Sequence, residues 1–520
     1  MIVSKLSDRF TFPPNFLSSM PLGATCIVLL IGIFLLVFRL WAFTIKPWLN
    51  PQQPRELPYW IPYVGHTVRY IRSGHDVLLR ARAHLKNKRE PFAITLITRK
   101  MYFIVDPADA AEVYKNAASF AFDRVVQQLQ RTFGISEGTM MATWGSSKEN
   151  DSKSGSSKAR DKNLGELSME FWRTQLVRQE GYSDIESKLF QHVSAILDQQ
   201  VSRAEATGGE ISLSKLTTEV IIGAALRAFF GESLLEMQPD LVETYVAFDK
   251  ESWKLWFRWP FSKSMYAKKA AVEDSLRKWI TLPQERRLGR SYIVKMVEQT
   301  QRALGTPDPD LAKIMNLLVY VVNANTHKPC YWALVHLLNT PSLLSTIQDE
   351  TAPAFLEDGT PNLSYLREST PWTSGLFHEA LRYYSASASI RVATCPTFVS
   401  GKLIPANSVV FLPFRPQHYD ACIFGNDVDS FAPGRFVKDK RLSNSPKFRA
   451  FSGGSSYCPG RVVARQECAI FIALLLRKYK VEVVNPGIPE RDFRTPTKGF
   501  VSPKAGEDVI LRLGKKTSST

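Results

Sequence analysis

A cysteine set between glycines and just ahead of an apolar helix constrains this chain more than any other feature. Residues 451–461 read Phe-Ser-Gly-Gly-Ser-Ser-Tyr-Cys-Pro-Gly-Arg, and the apolar segment 462–477 that follows is predicted as a helix. Gly454 and Gly460 let the backbone turn tightly and approach a flat ligand closely. The unpaired N–H groups and dipole of the following helix stabilise a thiolate at Cys458, the form that binds metal. The pattern therefore fits haem iron with a single axial cysteine.

This stretch resembles the haem-binding signature of the cytochrome P-450 superfamily, Phe-x-x-Gly-x-x-x-Cys-x-Gly. Phe451, Gly454, Cys458 and Gly460 all occupy their positions in that signature. The resemblance implies a mainly α fold with a small β-sheet region, a heme b cofactor and Cys458 as the iron ligand. Ser456 departs from the pattern, because it stands where the family has a base that pairs with a haem propionate. The alternative is a buried free cysteine ahead of a core helix.

Two further motifs of that family occur upstream of the cysteine. Glu379-Ala-Leu-Arg382 resembles Glu-x-x-Arg, and residues 431–436 resemble Phe-x-Pro-x-Arg-Phe, with Gly434 in place of the usual acid. The resemblance implies that Glu379, Arg382 and Arg435 form a buried ion network that braces the cysteine loop. A buried triad is stable only when its members are mutually paired, so the loss of one member is costly.

The absence of a base at Ser456 requires another cation for the haem propionates. Arg391 matches a family position whose basic side chain reaches a propionate. Arg461 is a second candidate, and Trp172 or Arg173 are further candidates. The alternative for Arg391 is the surface position of an ordinary exposed arginine.

Residues 311–339 are predicted as one helix, about 43 Å long at ~1.5 Å per residue. Its centre is polar, and Pro329 should kink or widen it because proline removes one N–H bond. In the family this helix crosses the distal face of the haem, where an acid and an alcohol relay protons. Ala324 stands at the acid position and Asn325 at the alcohol position, or Thr326 if the alignment slips. Asn325 and Thr326 are therefore candidate catalytic residues, and Ala324 a candidate pocket residue.

The Ala-Asn-Thr run is similar to the branch containing steroid 7-alpha-hydroxylase and prostacyclin synthase, and the chain also resembles fungal secondary-metabolism members. Some members of that branch are monooxygenases, and others rearrange a peroxide without dioxygen. We expect a monooxygenase that inserts one oxygen atom from dioxygen into a lipophilic steroid, terpenoid, polyketide or alkaloid. The alternatives are a peroxide isomerase that needs no reductase and a non-enzymatic haem-binding protein, which no partner domain supports.

Charge and cysteine content point to the partners and the compartment. The formal net charge is +17, which fits an anionic membrane face or an acidic redox partner. The bases are spread along the chain and no nucleic-acid motif occurs, so nucleic acid is not an expected partner. An NADPH-dependent flavoprotein reductase is expected to supply electrons, because the chain has no flavin- or NADPH-binding motif. Six cysteines without a CxxC pair indicate a reduced compartment.

The N-terminal region predicts one membrane span. Residues 10–38 carry no charge, and the dense apolar run 22–38 is about long enough to cross a bilayer once. Basic residues after the run favour a cytosolic body, and we expect the endoplasmic reticulum membrane. A cleaved signal peptide is the alternative, but no small-residue cleavage site follows the run. The expected divisions are an anchor at 1–46, a proline-rich hinge at 47–62, the catalytic domain at 63–514 and a polar tail at 515–520.

Strands are predicted towards the two ends of the catalytic body, with mostly helix between them. Residues 92–105 read as two strands broken at residues 98–100, because β-branched and aromatic residues recur throughout. Residues 107–120 read as a helix. Residues 145–162 are rich in Ser, Lys and Asn and are predicted as a solvated surface loop.

Near the C-terminus, residues 497–501 and 509–511 are predicted as a β-hairpin. In the resembled family the tip of such a hairpin lines the substrate pocket. Phe500 and Val501 are therefore candidate substrate contacts.

Residues 253–263 mix five aromatic side chains with three bases. Such a mixture suits a membrane interface, or equally a helix whose aromatic residues face the core. By position it falls where the resembled family has a flexible lid over the substrate channel.

Overall fold

The structure, a computed structural model, describes residues 21–86, 88–145, 164–257, 259–494 and 499–516. Helices dominate these residues and the sheets are small, which confirms the predicted mainly α class. The α-helices are α1 Leu22–Leu40, α2 Lys46–Leu49, α3 Thr67–Arg72, α4 Gly74–His84, α5 Pro107–Lys115, α6 Asp123–Thr132, α7 Glu137–Trp144, α8 Leu164–Leu176, α9 Gln179–Ala206, α10 Leu213–Phe230, α11 Ser233–Met237, α12 Leu241–Glu251, α13 Trp253–Phe257, α14 Lys263–Ile280, α15 Tyr292–Ala303, α16 Asp308–Asn323, α17 His327–Leu338, α18 Pro341–Thr351, α19 Leu363–Glu368, α20 Pro371–Tyr384, α21 Phe414–His418, α22 Ala421–Phe424, α23 Gly434–Lys438 and α24 Arg461–Lys478.

The strands form one larger sheet and three smaller ones. Their bounds are β1 Arg55–Glu56, β2 Phe92–Leu96, β3 Arg99–Phe103, β4 Phe120–Ala121, β5 Glu210–Ser212, β6 Ala388–Ala393, β7 Thr397–Val399, β8 Lys402–Ile404, β9 Val409–Pro413, β10 Tyr479–Val483, β11 Arg491–Asp492, β12 Ser502–Pro503 and β13 Ile510–Lys515. The larger sheet has the strand order β1-β2-β3-β9-β6-β4, and a second sheet has the order β10-β13-β5. Strands from both ends of the chain thus pair with one another around the helical body.

One described helix is long and apolar enough to cross a membrane, in the region where the sequence predicts a span. The chain is helical over Leu22–Leu49, with a π-helical turn at Trp41–Ile45. Its most apolar window has a mean hydropathy of 2.7 and none of that window is buried. An apolar helix whose most apolar window has no buried residue fits a membrane anchor.

The antiparallel pair β2–β3 forms where the sequence predicts two strands, but its turn lies one residue earlier. Ile97 and Thr98 turn the chain with φ values of 45° and 64°. Phe92 and Phe103 are directly opposite in register, and their rings stack at 5.5 Å. Cross-strand aromatic pairs of this kind stabilise a sheet.

The predicted helix over residues 107–120 is shorter in the structure. Asp106 caps α5 by accepting hydrogen bonds from Ala108 and Asp109, and the helix ends at Lys115. Phe120 instead begins β4, where it pairs with Ala393 of β6. The last residue of the segment therefore pairs with the edge of the larger sheet and is not part of the helix.

The helix predicted over residues 311–339 is interrupted in the structure, which corrects the expectation of one continuous helix. The chain leaves the helix after Asn323 and re-enters it at His327. Pro329 explains the interruption, because it has no N–H to donate to the carbonyl four residues earlier, at Asn325. The Cys330 N–H donates to Thr326 O at 3.3 Å and so closes the first turn of the second helix.

The predicted hairpin between residues 497–501 and 509–511 is wrong. β12 pairs with β11, whereas β13 pairs with β10 and with β5, about 300 residues earlier in the chain. Phe500 forms an isolated bridge with Ser385. Residues 495–498 and the predicted surface loop from residue 146 onward lie outside the described residues.

The core lies around α9, α10, α17 and α24, of which α10, α17 and α24 are buried over most of their length. In α24 the run Ile470–Leu476 is almost completely inaccessible to water, and α10 is buried along most of its length. A helix that is apolar all round belongs inside a protein. The cysteine loop is therefore attached directly to one of the most deeply buried helices of the molecule.

Candidate active site

The cysteine loop turns tightly before α24, as the glycine positions predict. The Cys458 N–H donates to Phe451 O at 3.1 Å, which closes the loop across the signature. Gly454 has φ 62°, and a Cβ there would come within 2.5 Å of Tyr114 O. Only glycine fits that position without displacing backbone. A Cβ at Gly460 would lie 3.8 Å from Cys458 Sγ, in ordinary van der Waals contact with the sulfur.

Opposing influences act on the Cys458 thiol. Burial raises the pKa of the thiol above its ordinary value, and the backbone N–H groups of Gly460 and Arg461 and the Arg461 charge partly oppose that rise. The N–H groups stabilise the thiolate, as expected at the start of a helix. The Arg461 guanidinium lies 4.4 Å above the Tyr457 ring and donates to Cys458 O at 3.1 Å.

Arg391 lies beside the cysteine loop and is almost fully buried, with 2% of its surface exposed. Its guanidinium donates to Ser389 Oγ at 2.8 Å, to Gly453 O at 3.2 Å and to Ser456 Oγ. Burial lowers the pKa of Arg391, and the nearby Tyr114 phenol raises it. Among the described residues no carboxylate neutralises this cation.

A second arginine near the loop, Arg449, is not among the residues predicted from the sequence. Its guanidinium lies 5.1 Å from the Tyr114 ring centroid, as does that of Arg391. Arg449 Nε and Tyr114 Oη are both buried without a hydrogen-bond partner in the described part of the chain. The one sequence signal is a base two residues before the signature. The two arginines and the phenol form a cradle that suits an anionic group.

The further propionate candidates lie on α8. Trp172 packs against Phe229 with ring centroids 6.4 Å apart, and Arg173 is exposed. Leu176, one turn on, is the residue of this helix that approaches Gly460.

The structure brings Glu379, Arg382 and Arg435 together. Arg382 donates to both Glu379 oxygens, at 2.8 and 2.7 Å, and both side chains are completely buried. Arg435 Nε lies 3.5 Å from Glu379 Oε2, and the terminal guanidinium nitrogens of Arg435 pair with Asp427. The remaining Arg382 donors reach three backbone carbonyls, those of His418, Val428 and Ser430. The buried charges are therefore paired, and they hold the segment before the cysteine loop in place.

The interruption between α16 and α17 opens onto a cavity of about 1130 Å3. Ala324 and Asn325 lie on its wall, whereas Thr326 does not. Gly499, with φ 71°, faces Asn325 so closely that a Cβ there would overlap Asn325 Oδ1. The Asn325 amide is thus the polar side chain that this interruption presents to the cavity.

Phe500 and Val501 are buried beside the cavity but are not part of its wall. Phe500 is 8% exposed and Val501 is fully buried, and Val501 O accepts a hydrogen bond from Trp332 Nε1 at 2.8 Å. The neighbouring Gly499 forms the wall instead.

The aromatic segment after α12 divides between the two environments expected for it. Trp253, Trp256 and Phe257 line the cavity, and Phe261 is 81% exposed. The segment therefore covers the cavity on one side and presents an apolar side chain to the surface on the other.

The chain belongs to the cytochrome P450 family, whose model matches residues 54–511. It is an oxidoreductase of the monooxygenase family. Cytochrome P450 monooxygenase poxD of Penicillium oxalicum is 25% identical over 471 residues, 88% of this chain and 92% of that protein. A cytochrome P450 monooxygenase of Gibberella zeae is 25% identical over 280 residues, 50% and 53% of the two chains. Beta-amyrin 11-oxidase of Glycyrrhiza uralensis is 27% identical over 184 residues, 34% and 36%.

Membership of this family implies a haem-iron cofactor with a cysteine thiolate ligand, and the residues present fit that group. Cys458 has N–H donors directed at its sulfur. The buried cation of Arg391 and the half-buried cation of Arg449 suit the carboxylates at the haem edge.

Proposed function

We propose that this protein is a haem-thiolate monooxygenase that inserts one oxygen atom from dioxygen into a lipophilic substrate, in secondary-metabolite biosynthesis. The substrate class is a steroid, terpenoid, polyketide or alkaloid. The observation that carries the proposal is the cysteine loop, in which the Cys458 sulfur receives the N–H groups of Gly460 and Arg461 at the start of a buried helix.

Cys458 would hold the iron of heme b through its thiolate, and Phe451, Gly454 and Gly460 shape the loop around it. Arg391 and Arg449 bind the propionates, and Arg461 supports the thiolate electrostatically. When bound, the haem with a thiolate ligand supplies the electron-rich iron that favours cleavage of the O–O bond. Glu379, Arg382 and Arg435 brace the loop and contact no reactant.

Asn325 holds water at the cavity wall and conducts protons towards the reacting oxygen, with Thr326 or the Ala324 carbonyl as its partners. The position of the amide on the cavity wall supports this role. An amide titrates poorly, so it orients a water chain and is not itself the acid. The peroxide isomerase remains the second candidate, because that reaction needs no proton delivery and the usual acid is replaced by Ala324.

The anchor and the charge of the chain support the proposed setting. The helix over Leu22–Leu49 would fix the protein in the endoplasmic reticulum membrane, with residues 63–514 as the cytosolic catalytic domain, residues 47–62 as the hinge and residues 515–520 as the tail. The net charge of +17 favours docking of an acidic NADPH-dependent flavoprotein reductase.

The test combines a spectrum with a dependence on reductase. The reduced carbon-monoxide complex of the wild type should show the thiolate-type spectrum, and Cys458→Ser should abolish it. Turnover should need both NADPH and reductase. Cys468→Ser, which changes a buried cysteine on the same helix, is the matched control and should keep the spectrum. A Cys458→Ser protein with an unchanged spectrum would refute the ligand assignment.

A further inference from the structure

The cavity wall carries two arginine side chains that no carboxylate of the described residues neutralises. Arg415 on α21 and Arg491 on β11 both lie on the cavity wall. Their guanidinium carbons lie 5.1 and 5.5 Å from the same Phe493 ring centroid, and the charge of Arg491 acts on Arg415. In the described ranges of the chain, no carboxylate forms an ion pair with either one.

The acids near this pair are engaged with other bases or face the solvent. Glu490 pairs with Lys504 at 2.8 Å, and Asp492 pairs with Arg494 at 2.8 Å. Asp429 also lies on the cavity wall, but its side chain is exposed. The positive charge of the pair is therefore not compensated by its surroundings.

Aromatic rings hold both guanidinium groups in place and leave donors free. Arg415 lies 4.1 Å above the Tyr419 ring and donates to Tyr383 O at 3.0 Å. Arg491 lies 4.9 Å from the Tyr383 ring centroid and donates to Tyr419 Oη at 3.0 Å. Stacking covers the faces of a guanidinium, so the N–H groups on its edge stay available for a ligand. Each arginine is thus oriented by the protein but keeps donors for an anion.

Two neighbouring cations in a partly buried place destabilise the protein unless an anion joins them. Burial lowers the pKa of Arg415, the Tyr419 phenol opposes that effect, and the charge of Arg491 lowers the pKa further. His75 stacks on Phe493 at 4.7 Å, and burial and the Arg415 charge lower its pKa to about 4. His75 is therefore neutral near pH 7 and adds no charge. A carboxylate or phosphate would relieve the repulsion and form charge-assisted hydrogen bonds.

We propose that the substrate is an apolar molecule with a carboxylate or phosphate group at one end, and that Arg415 and Arg491 bind that group. The inference rests on the proposed function, because the same cavity reaches Ala324 and Asn325. The cavity wall that holds the arginine pair and Asn325 is mostly apolar, with Ile390 and Phe411 among its members. The arginines thus fix the anionic end, and the apolar remainder of the molecule extends towards the helix interruption.

The test measures binding to the full-length holoenzyme in phosphatidylcholine nanodiscs by isothermal titration calorimetry. The probes are dodecanoic acid, dodecyl phosphate and dodecan-1-ol. The two anionic probes should bind at least about tenfold more tightly than the alcohol, since a hydrogen bond to a charged group is worth about that factor. Arg415→Gln and Arg491→Gln should each remove most of this preference while leaving alcohol binding unchanged, and Arg491→Lys should restore part of it.

Arg99→Gln is the matched control, because Arg99 lies on the same cavity wall away from the pair. Equal affinities for acid and alcohol in the wild type would overturn the inference, as would an equal loss in Arg99→Gln.

Vesicles with and without phosphatidylserine test a lipid headgroup as the anion. If the double variant loses affinity only for the phosphatidylserine vesicles, the substrate assignment is wrong. If Arg415→Gln does not fold, Arg491→Gln alone tests the inference. Binding is measured without turnover, so a protein that binds the anionic probes but lacks monooxygenase activity would contradict the proposed function and not this inference.

Discussion

The Arg391 guanidinium donates a hydrogen bond to Ser456 Oγ, at the position where the resembled haem-binding signature has a base. The serine therefore accepts from a base supplied by β6 instead of providing one itself. Arg391 also donates to Gly453 O at 3.2 Å, so one buried cation joins the larger sheet to the cysteine loop. These acceptors are neutral, so the positive charge of Arg391 can still pair with an anion beside the loop.

Replacing Arg391 should therefore release haem. Arg391→Ala removes a buried cation of the proposed propionate cradle, and Arg391→Lys keeps the charge but not the forked geometry. We expect haem content per protein to fall severalfold in the alanine variant and less in the lysine variant, measured by the pyridine haemochrome assay. Arg441→Ala, whose side chain is 94% exposed, is the control and should bind haem fully. Full haem content in Arg391→Ala would exclude the cradle.

Replacing Glu379 should destabilise the whole domain. Glu379→Gln leaves Arg382 as a buried cation without a carboxylate and leaves Arg435 paired with Asp427 alone. The loss of one partner of a buried ion pair costs about 3–5 kcal/mol. Urea unfolding followed by circular dichroism should show a clearly lower midpoint. Glu482→Gln, which removes a 62% exposed side chain from a 3.4 Å surface pair with Arg512, should leave the midpoint nearly unchanged. Equal midpoints in the two variants would contradict a bracing role.

Short-range signals account for what the sequence predicts about the site. The loop around Cys458 needs glycine at a φ of 62° and a helix directly after the cysteine, and both requirements are local. The Glu379 and Arg382 pair is three residues apart on one helix, so its contact also follows from the sequence.

Long-range contacts explain what the sequence did not predict. β13 pairs with β5 across about 300 residues, and no local pattern encodes that partner. The sequence indicates a disturbance at Pro329, but it does not show that the helix ends at Asn323 and begins again at His327. Arg449 becomes a candidate propionate-binding residue only because it lies beside the Tyr114 ring, and the sequence alone does not reveal that contact.

Deleting residues 1–46 should release much of the protein from membranes. The deletion removes nearly all of the apolar helix over Leu22–Leu49, whose most apolar window buries no residue against the rest of the chain. Fractionation by ultracentrifugation measures the soluble share, and an Arg39→Gln variant of the full chain should stay in the membrane pellet. If the truncated protein fractionates unchanged, the aromatic segment around Phe261 carries the attachment. A protein that combines the deletion of residues 1–46 with Phe261→Ser would then be soluble.

Asn325→Ala should uncouple electron use from product formation. The amide lies on the cavity wall at the helix interruption, where it orients water for proton delivery in the proposed function. Without it, product formed per NADPH should fall on the order of tenfold, with the electrons recovered as hydrogen peroxide, because positioned proton transfer contributes at least that factor. Substrate affinity should change little, since the alanine keeps the apolar wall. Asn444→Ala, an exposed asparagine far along the chain, is the control.

Two outcomes would change the assignment of the reaction. Unchanged coupling in Asn325→Ala, together with loss of coupling in Thr326→Ala, would move the relay to Thr326. Turnover of a peroxide substrate at full rate without reductase would favour the isomerase, because peroxide rearrangement needs neither electrons nor delivered protons. In that case Asn325→Ala should leave the rate of peroxide turnover nearly unchanged, so the same variant distinguishes the two reactions.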